Sequence, residues 1–284
     1  MRCFRALSAY RPLCESLLIV LLWGAMFPVH ANNSLRVISL APHATELAYA
    51  AGLGPNLVAA SAYSDYPERA QSLERVANYR GVKLERIIAL KPDLILAWRG
   101  GNPPKPLETL ATMGFKVRYL NPETLEDIGQ FIRELGHYSA TPDIAAANAK
   151  AFDNKLAQLK ARYQNASPVP YFYLLSDTPL MTASNRAWPS QLFTVCGGKN
   201  IFADSPAAYP QVNMEQVITR APQVMFHTGE KLPSSWQSMT DLLPDNAQRF
   251  TWSLNPDWLT RATPRALNAA EQICTALDNV RHAQ

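Results

Sequence analysis

Two tyrosines and two glutamates recur at a fixed spacing in this chain. Tyr79, Val82, Glu85, Ile88 and Pro92 are matched 130 residues later, without a gap, by Tyr209, Val212, Glu215, Ile218 and Pro222. Each glutamate falls near the start of a short candidate helix, where a carboxylate suits the positive end of the helix dipole. The repeat therefore sets an anionic group and an aromatic face at equivalent points of two similar halves. Further aromatic residues follow candidate strands: Tyr63 and Tyr66, Trp98, and Trp258 beside Asp257. Rings gathered at strand ends suit a large, flat, partly apolar ligand. Taken singly, each ring serves equally well as a cap on the core. Their recurrence in both halves favours binding.

Signals for catalysis are weak. His43, His137, His227 and His282 show no metal-binding spacing, and there is no Gly-x-Ser-x-Gly motif or phosphate loop. His43 follows Pro42 in a turn, where it suits a capping role or, less well, a metal. An exported hydrolase lacks a base and nucleophile here, so no enzymatic activity and no cofactor are expected. The formal net charge is only +4, with no Lys/Arg block, so no nucleic-acid partner is indicated.

The elements that must position these residues read as α/β. In each repeat copy a short helix ends at Pro92 or Pro222 and an apolar run follows, Leu94–Ala97 or Val224–Phe226. Such runs suit strands covered on both faces of a parallel sheet. Strands are also expected near 35–40, 57–61, 115–120, 168–175 and 250–253. Helices are expected over 47–52, with Thr45 as N-cap, and over 107–113, 125–135, 190–195 and 266–280. From Ile144 to Tyr163 there is neither Pro nor Gly, and an apolar stripe runs through Ile144, Ala147, Ala151, Phe152, Leu156 and Leu159. That predicts one helix of about 20 residues, about 30 Å long, a stiff connector unlike a Gly/Ser linker. The expected organisation is a lobe over 32–140, an interlobe helix over 141–165 and a second lobe over 166–284.

Residues 1–31 read as a secretory leader: Arg2, Arg5 and Arg11, the apolar run from Leu17, and Val29-His30-Ala31 as a cleavage site. Its removal takes Cys3 and Cys14 and leaves Cys196 and Cys274, in a chain bound for an oxidising compartment. A disulfide between them is the natural reading, two buried thiols the other.

Several stretches carry a resemblance: Ser39-Leu-Ala-Pro-His-Ala-Thr-Glu46, Tyr63-Ser-Asp-Tyr-Pro67, Leu84 to Leu94, Ala97-Trp-Arg-Gly-Gly-Asn102, Cys196 to Phe202, Tyr209-Pro-Gln-Val212 and Asp257-Trp258. The chain resembles the periplasmic binding proteins for iron chelates and vitamin B12, from about Leu35 to the end. Its Trp-Arg-Gly-Gly and Asp-Trp elements point to the B12 branch. The resemblance implies two Rossmann-like lobes on a single helical backbone, and a monomer that captures cobalamin in the periplasm as a transported ligand. Tyr63, Tyr79, Trp98 and Tyr209 would face the corrin. Asp257, Trp258, Leu259, Thr260 and Arg261 would meet its amide side chains or nucleotide end. Glu85 and Glu215 would dock onto arginines of a homodimeric permease of an inner-membrane ABC importer, and Cys196 and Cys274 would be joined. Tyr79 and Tyr209 stand where well-known members carry tryptophan, and Leu259-Thr260 replaces a more polar-aromatic pair, which implies altered affinity within the same ligand class. A ferric siderophore or haem is the alternative ligand on this fold, with Arg99, Arg261, Arg265 and His43 in its favour.

Overall fold

Short apolar runs, each closed by a breaker, build two parallel sheets. A computed structural model of the chain describes residues 34–237 and 250–283. The leader read at 1–31 lies outside the described residues. In the first sheet β1 (Val37–Ser39), β2 (Leu57–Ser61), β3 (Glu74–Asn78), β4 (Gly81–Val82), β5 (Leu94–Ala97) and β6 (Val117–Tyr119) take the order β4-β3-β2-β1-β5-β6, with β4 alone antiparallel. Its helices are α1 (Pro42–Ala50), α2 (Leu84–Leu90), α3 (Pro104–Thr112) and α4 (Leu125–Gly136). The connector α5 (Pro142–Tyr163) has 22 residues, a span of about 33 Å.

Beyond it lie β7 (Val169–Leu174), the hairpin β8 (Ser176–Asp177) and β9 (Leu180–Met181), α6 (Ser190–Val195), β10 (Gly198–Asn200), α7 (Met214–Thr219), β11 (Val224–His227) and α8 (Ser234–Gln237). The chain closes with β12 (Thr251–Ser253), α9 (Pro256–Thr260) and α10 (Ala266–His282). The second sheet is parallel throughout, in the order β10-β7-β11-β12. In each sheet the order reverses beside the first strand, between β1 and β5 and between β7 and β11. The crevice outside the carboxyl ends of such strands is where open α/β sheets hold ligands.

The repeat is structural as well as sequential. Helices α2 and α7 start 130 residues apart, as do β5 and β11, and Lys91 and Ala221 at the matched turns both take positive φ, 47° and 45°. All four residues of β5 and of β11 are buried, as strands covered on both faces must be.

Alternation along the strands splits the core into layers. Val37, Leu94 and Leu96 of the first sheet and Tyr171, Tyr173 and Phe226 of the second share one continuous core with Phe152 and Leu156 of α5 and Leu277 of α10. Ile38 and Ile95 face a separate outer layer with Ile87, and Phe172 and Met225 another with Val217. The inner faces of both sheets thus close on the same helices. Cys196, at the end of α6, is joined to Cys274 of α10.

Two local expectations are corrected. Thr45 is no N-cap: α1 opens at Pro42, and the Thr45 hydroxyl is buried, donating to Ala41 O and bonded to Ser39 and Ser64. Pro42 suits the first turn, whose N–H needs no partner, so the helix starts earlier than the polar cap suggested. The buried stripe of α5 is Ala145, Ala149, Phe152, Leu156, Leu159 and Tyr163, while Ile144, Ala147 and Ala151 are exposed. The cause is the crossing with α4. A Cβ on Gly136 would come within 2.5 Å of the Ala145 Cβ, so only a small residue fits there. Thr141 precedes α5 without capping it, its backbone N–H donating to Ser139 Oγ instead.

A shared core and a hydrogen-bonded helix offer no residues that can absorb a wide hinge rotation. Small-angle scattering of the protein with and without ligand should give nearly the same radius of gyration. A large drop on binding would contradict this rigidity.

Candidate functional site

The candidate ring with the most support from its neighbours is Trp98, after the end of β5 beside the first switch point. Its backbone N–H donates to Asn102 Oδ1 at 2.7 Å, and Asn102 Nδ2 donates to Leu40 O at 2.9 Å, tying the loop to the end of β1. A Cβ on Gly101 would come within 2.0 Å of the indole, so the glycine lets the loop fold closely against the ring. His43 meets Trp98 edge-on at 5.4 Å, and its Nε2 donates to Leu120 O at 3.0 Å. Burial pushes the His43 imidazole below its ordinary value, which keeps it neutral as a support for the ring. The Trp-Arg-Gly-Gly-Asn run is therefore one presenting device, and the indole remains partly exposed.

Tyr63 follows β2 and is 70% exposed, with φ of 62°. That conformation costs a non-glycine residue about 1–2 kcal/mol, so its neighbours must hold it. Ser64 turns inward and bonds the hydroxyls of Thr45 and Ser61. Arg75 donates to the carbonyls of Ser61 and Ser64. Asp65 receives Arg261 from the other lobe at 2.6 Å, and Tyr66 lies beneath Arg265 at 4.0 Å.

The turn after β12 supplies the facing group. Asn255 caps α9 by accepting the N–H groups of Asp257 and Trp258. Asp257 reaches Arg261 at 2.8 Å. Arg261 also meets Glu46 of α1 at 3.2 Å, and Arg265 pairs with both oxygens of Glu46 at 2.6 and 2.8 Å. Beside Arg261, the Asp65 carboxyl is held below the usual carboxylate range.

The expected site residues separate on these contacts. Tyr63, Asp257 and Arg261 are brought together through Asp65, and Trp98 shares α1 with that cluster through His43. Thr260 is exposed, its hydroxyl donating to Pro256 O. Trp258 is half-buried against the core. Leu259 corrects the expectation: it is fully buried, because a short amphipathic turn must put one side chain under the sheet edge, and it offers no surface to a ligand. Tyr79, at the end of β3, is exposed and stands two strands from the switch point, touched by Arg80. Tyr209 is half-exposed and seated by the hairpin, since the adjacent Pro210 carbonyl accepts Thr182 N–H. Sequence reasoning passed over Glu46 and Asp65 as working residues, and gave Arg265 a role only for the alternative ligand. Only Glu46 carried a signal, as the acid beside Thr45.

A cavity of about 560 Å³ adjoins the same cluster, lined by Glu46, Tyr49, Tyr66, Phe152, Lys155 and Arg265 among others. Of the strand-end rings picked out in the sequence it includes Tyr66, while Tyr63, Trp98 and Trp258 lie outside its lining.

Residues 37–243 match the family described as periplasmic binding protein. The chain belongs to that family. Among relatives, a vitamin B12-binding protein of Vibrio vulnificus is 51% identical over 84% of this chain and 88% of its own length. One of Photorhabdus laumondii is 46% identical over 86% and 88%. The crystal structure of the periplasmic vitamin B12 binding protein of Vibrio cholerae superposes with a TM-score of 0.81 at 47% identity, covering 87% of this chain and 97% of that one. A periplasmic haem-binding protein of the same organism superposes at 0.75 with 21% identity, covering 86% and 99%, a likeness of fold alone. Among the described residues no helix is long and apolar enough to cross a membrane.

Proposed function

We propose that this chain captures vitamin B12 in the periplasm and delivers it to an inner-membrane ABC importer. The observation that carries the reading is identity of 46–51% to vitamin B12-binding proteins across most of both chains. The site agrees in chemistry. Exposed rings at Tyr63 and Trp98 suit the face of a corrin, and Asp257 offers an acceptor for peripheral amides. His43, one of the residues that would favour haem, has its Nε2 engaged by Leu120.

Each monomer binds one cobalamin between the lobes. Glu85 and Glu215 meet matching basic patches on the two subunits of a homodimeric permease. In an isothermal titration against cyanocobalamin, haem and a ferric siderophore, the first alone should bind tightly. Trp98→Ala should weaken cobalamin by about 1–3 kcal/mol, the scale of one large buried aromatic contact, which is about 5- to 150-fold in Kd. No cobalamin binding by the parent, or unchanged affinity in the variant, counts against this reading.

A further inference from the structure

The cluster of Glu46, Asp65, Asp257, Arg261 and Arg265 joins the lobes at a second place, independent of α5. Glu46 and Asp65 belong to the first lobe, and the other three to the second. The Glu46 side chain is 2% exposed, and those of Arg261 and Arg265 13% and 16%. Buried charges of this kind persist only while paired. Separating the lobes here would take both arginine partners from the Glu46 carboxylate.

The cluster also governs one loop. Residue by residue, Ser64 is bound by Thr45, Asp65 by Arg261, and Tyr66 by Arg265. Tyr63 alone stays free at 70% exposure, in a backbone conformation that it would not adopt unaided. Two of its tethers, Arg261 and Arg265, come from the opposite lobe, beside those from Thr45, Ser61 and Arg75 of its own.

We propose that this cluster is an interlobe latch with Glu46 as its keystone, and that it positions the Tyr63 ring for ligand by fixing the spacing of the lobes. Glu46 is a positioning residue: it acts through Arg261 and Arg265. The part concerning ligand rests on the cobalamin reading above, and the part concerning lobe spacing does not.

The two parts call for separate measurements. For spacing, nitroxides are attached at the exposed positions Thr109→Cys and Thr219→Cys, one on each lobe, and the distance distribution is recorded without ligand. The parent should show one narrow distribution, and Glu46→Gln a broader one. An unchanged distribution overturns the latch, whether or not cobalamin binds. For positioning, Glu46→Gln and Tyr63→Ala are combined in a double-mutant cycle on cobalamin affinity. Glu46→Gln should cost about 10-fold alone and less than about 3-fold once Tyr63 is gone, because coupled residues do not add. Additive losses overturn the positioning role. Asp65→Asn, at a half-exposed carboxylate, repeats both measurements should Glu46→Gln fail to fold, and is expected to shift them in the same direction.

Discussion

Glu85→Arg combined with Glu215→Arg should abolish cobalamin uptake while leaving cobalamin affinity nearly unchanged. Both carboxylates lie in the first turn of their helices, α2 and α7, and both are exposed. Their acidic neighbours are already paired. Glu74 binds Arg86 at 2.6 and 2.7 Å, and Asp204, 130 residues after Glu74, binds Arg220 at 2.7 and 3.1 Å. Among the described residues Glu85 and Glu215 make no ion pair. A ligand cleft gains nothing from a matched pair so placed, since its ligand is asymmetric. A two-fold symmetric partner offers the same patch twice and does need one, and arginines reach exposed carboxylates in bidentate geometry. If the two acids served only the helix dipole, the double variant would lose about 0.3–1 kcal/mol of stability per site and nothing else. Reconstituted transport with the purified double variant separates the cases, and each single variant should retain partial activity. Wild-type docking by the double variant would favour the dipole reading.

Loss of the disulfide should produce the largest change in stability. Cys196 and Cys274 are 78 residues apart, and the loop between them holds β10, α7, β11 and the turn that carries Asp257. Closing a loop of that size removes about 4 kcal/mol of chain entropy from the unfolded state in the simplest account. Both cysteines are buried at the packing of α6 on α10. Cys196→Ala with Cys274→Ala should therefore lower the unfolding free energy obtained from urea titration by about 4 kcal/mol, and Tm by about 8–16 °C for a domain of this size. The exported parent, denatured without reductant, should label no thiol. Two labelled cysteines, or an unchanged midpoint, would contradict the bridge as a stabilising element.

Much of this was legible in the order of residues. The offset of 130 between Tyr79–Trp98 and Tyr209–Thr228 foretold two alike helix–turn–strand units, since local periodicity and proline placement depend on neighbours in the chain. The uninterrupted run from Ile144 to Tyr163 foretold α5, and the cysteine count allowed the bridge. Other features required tertiary structure. Which face of α5 is buried depended on Gly136 meeting Ala145, a contact between two helices. Leu259 was expected at the ligand and lies in the core, because the period of a five-residue helix is too short to read. The latch was the least visible of all. Glu46 lies 215 and 219 residues from the arginines it binds, and only folding brings such charges into one buried cluster. Local propensity thus determined the elements. Long-range packing decided which polar residues those elements bring together, because a buried charge is set by partners that the linear sequence does not place beside it.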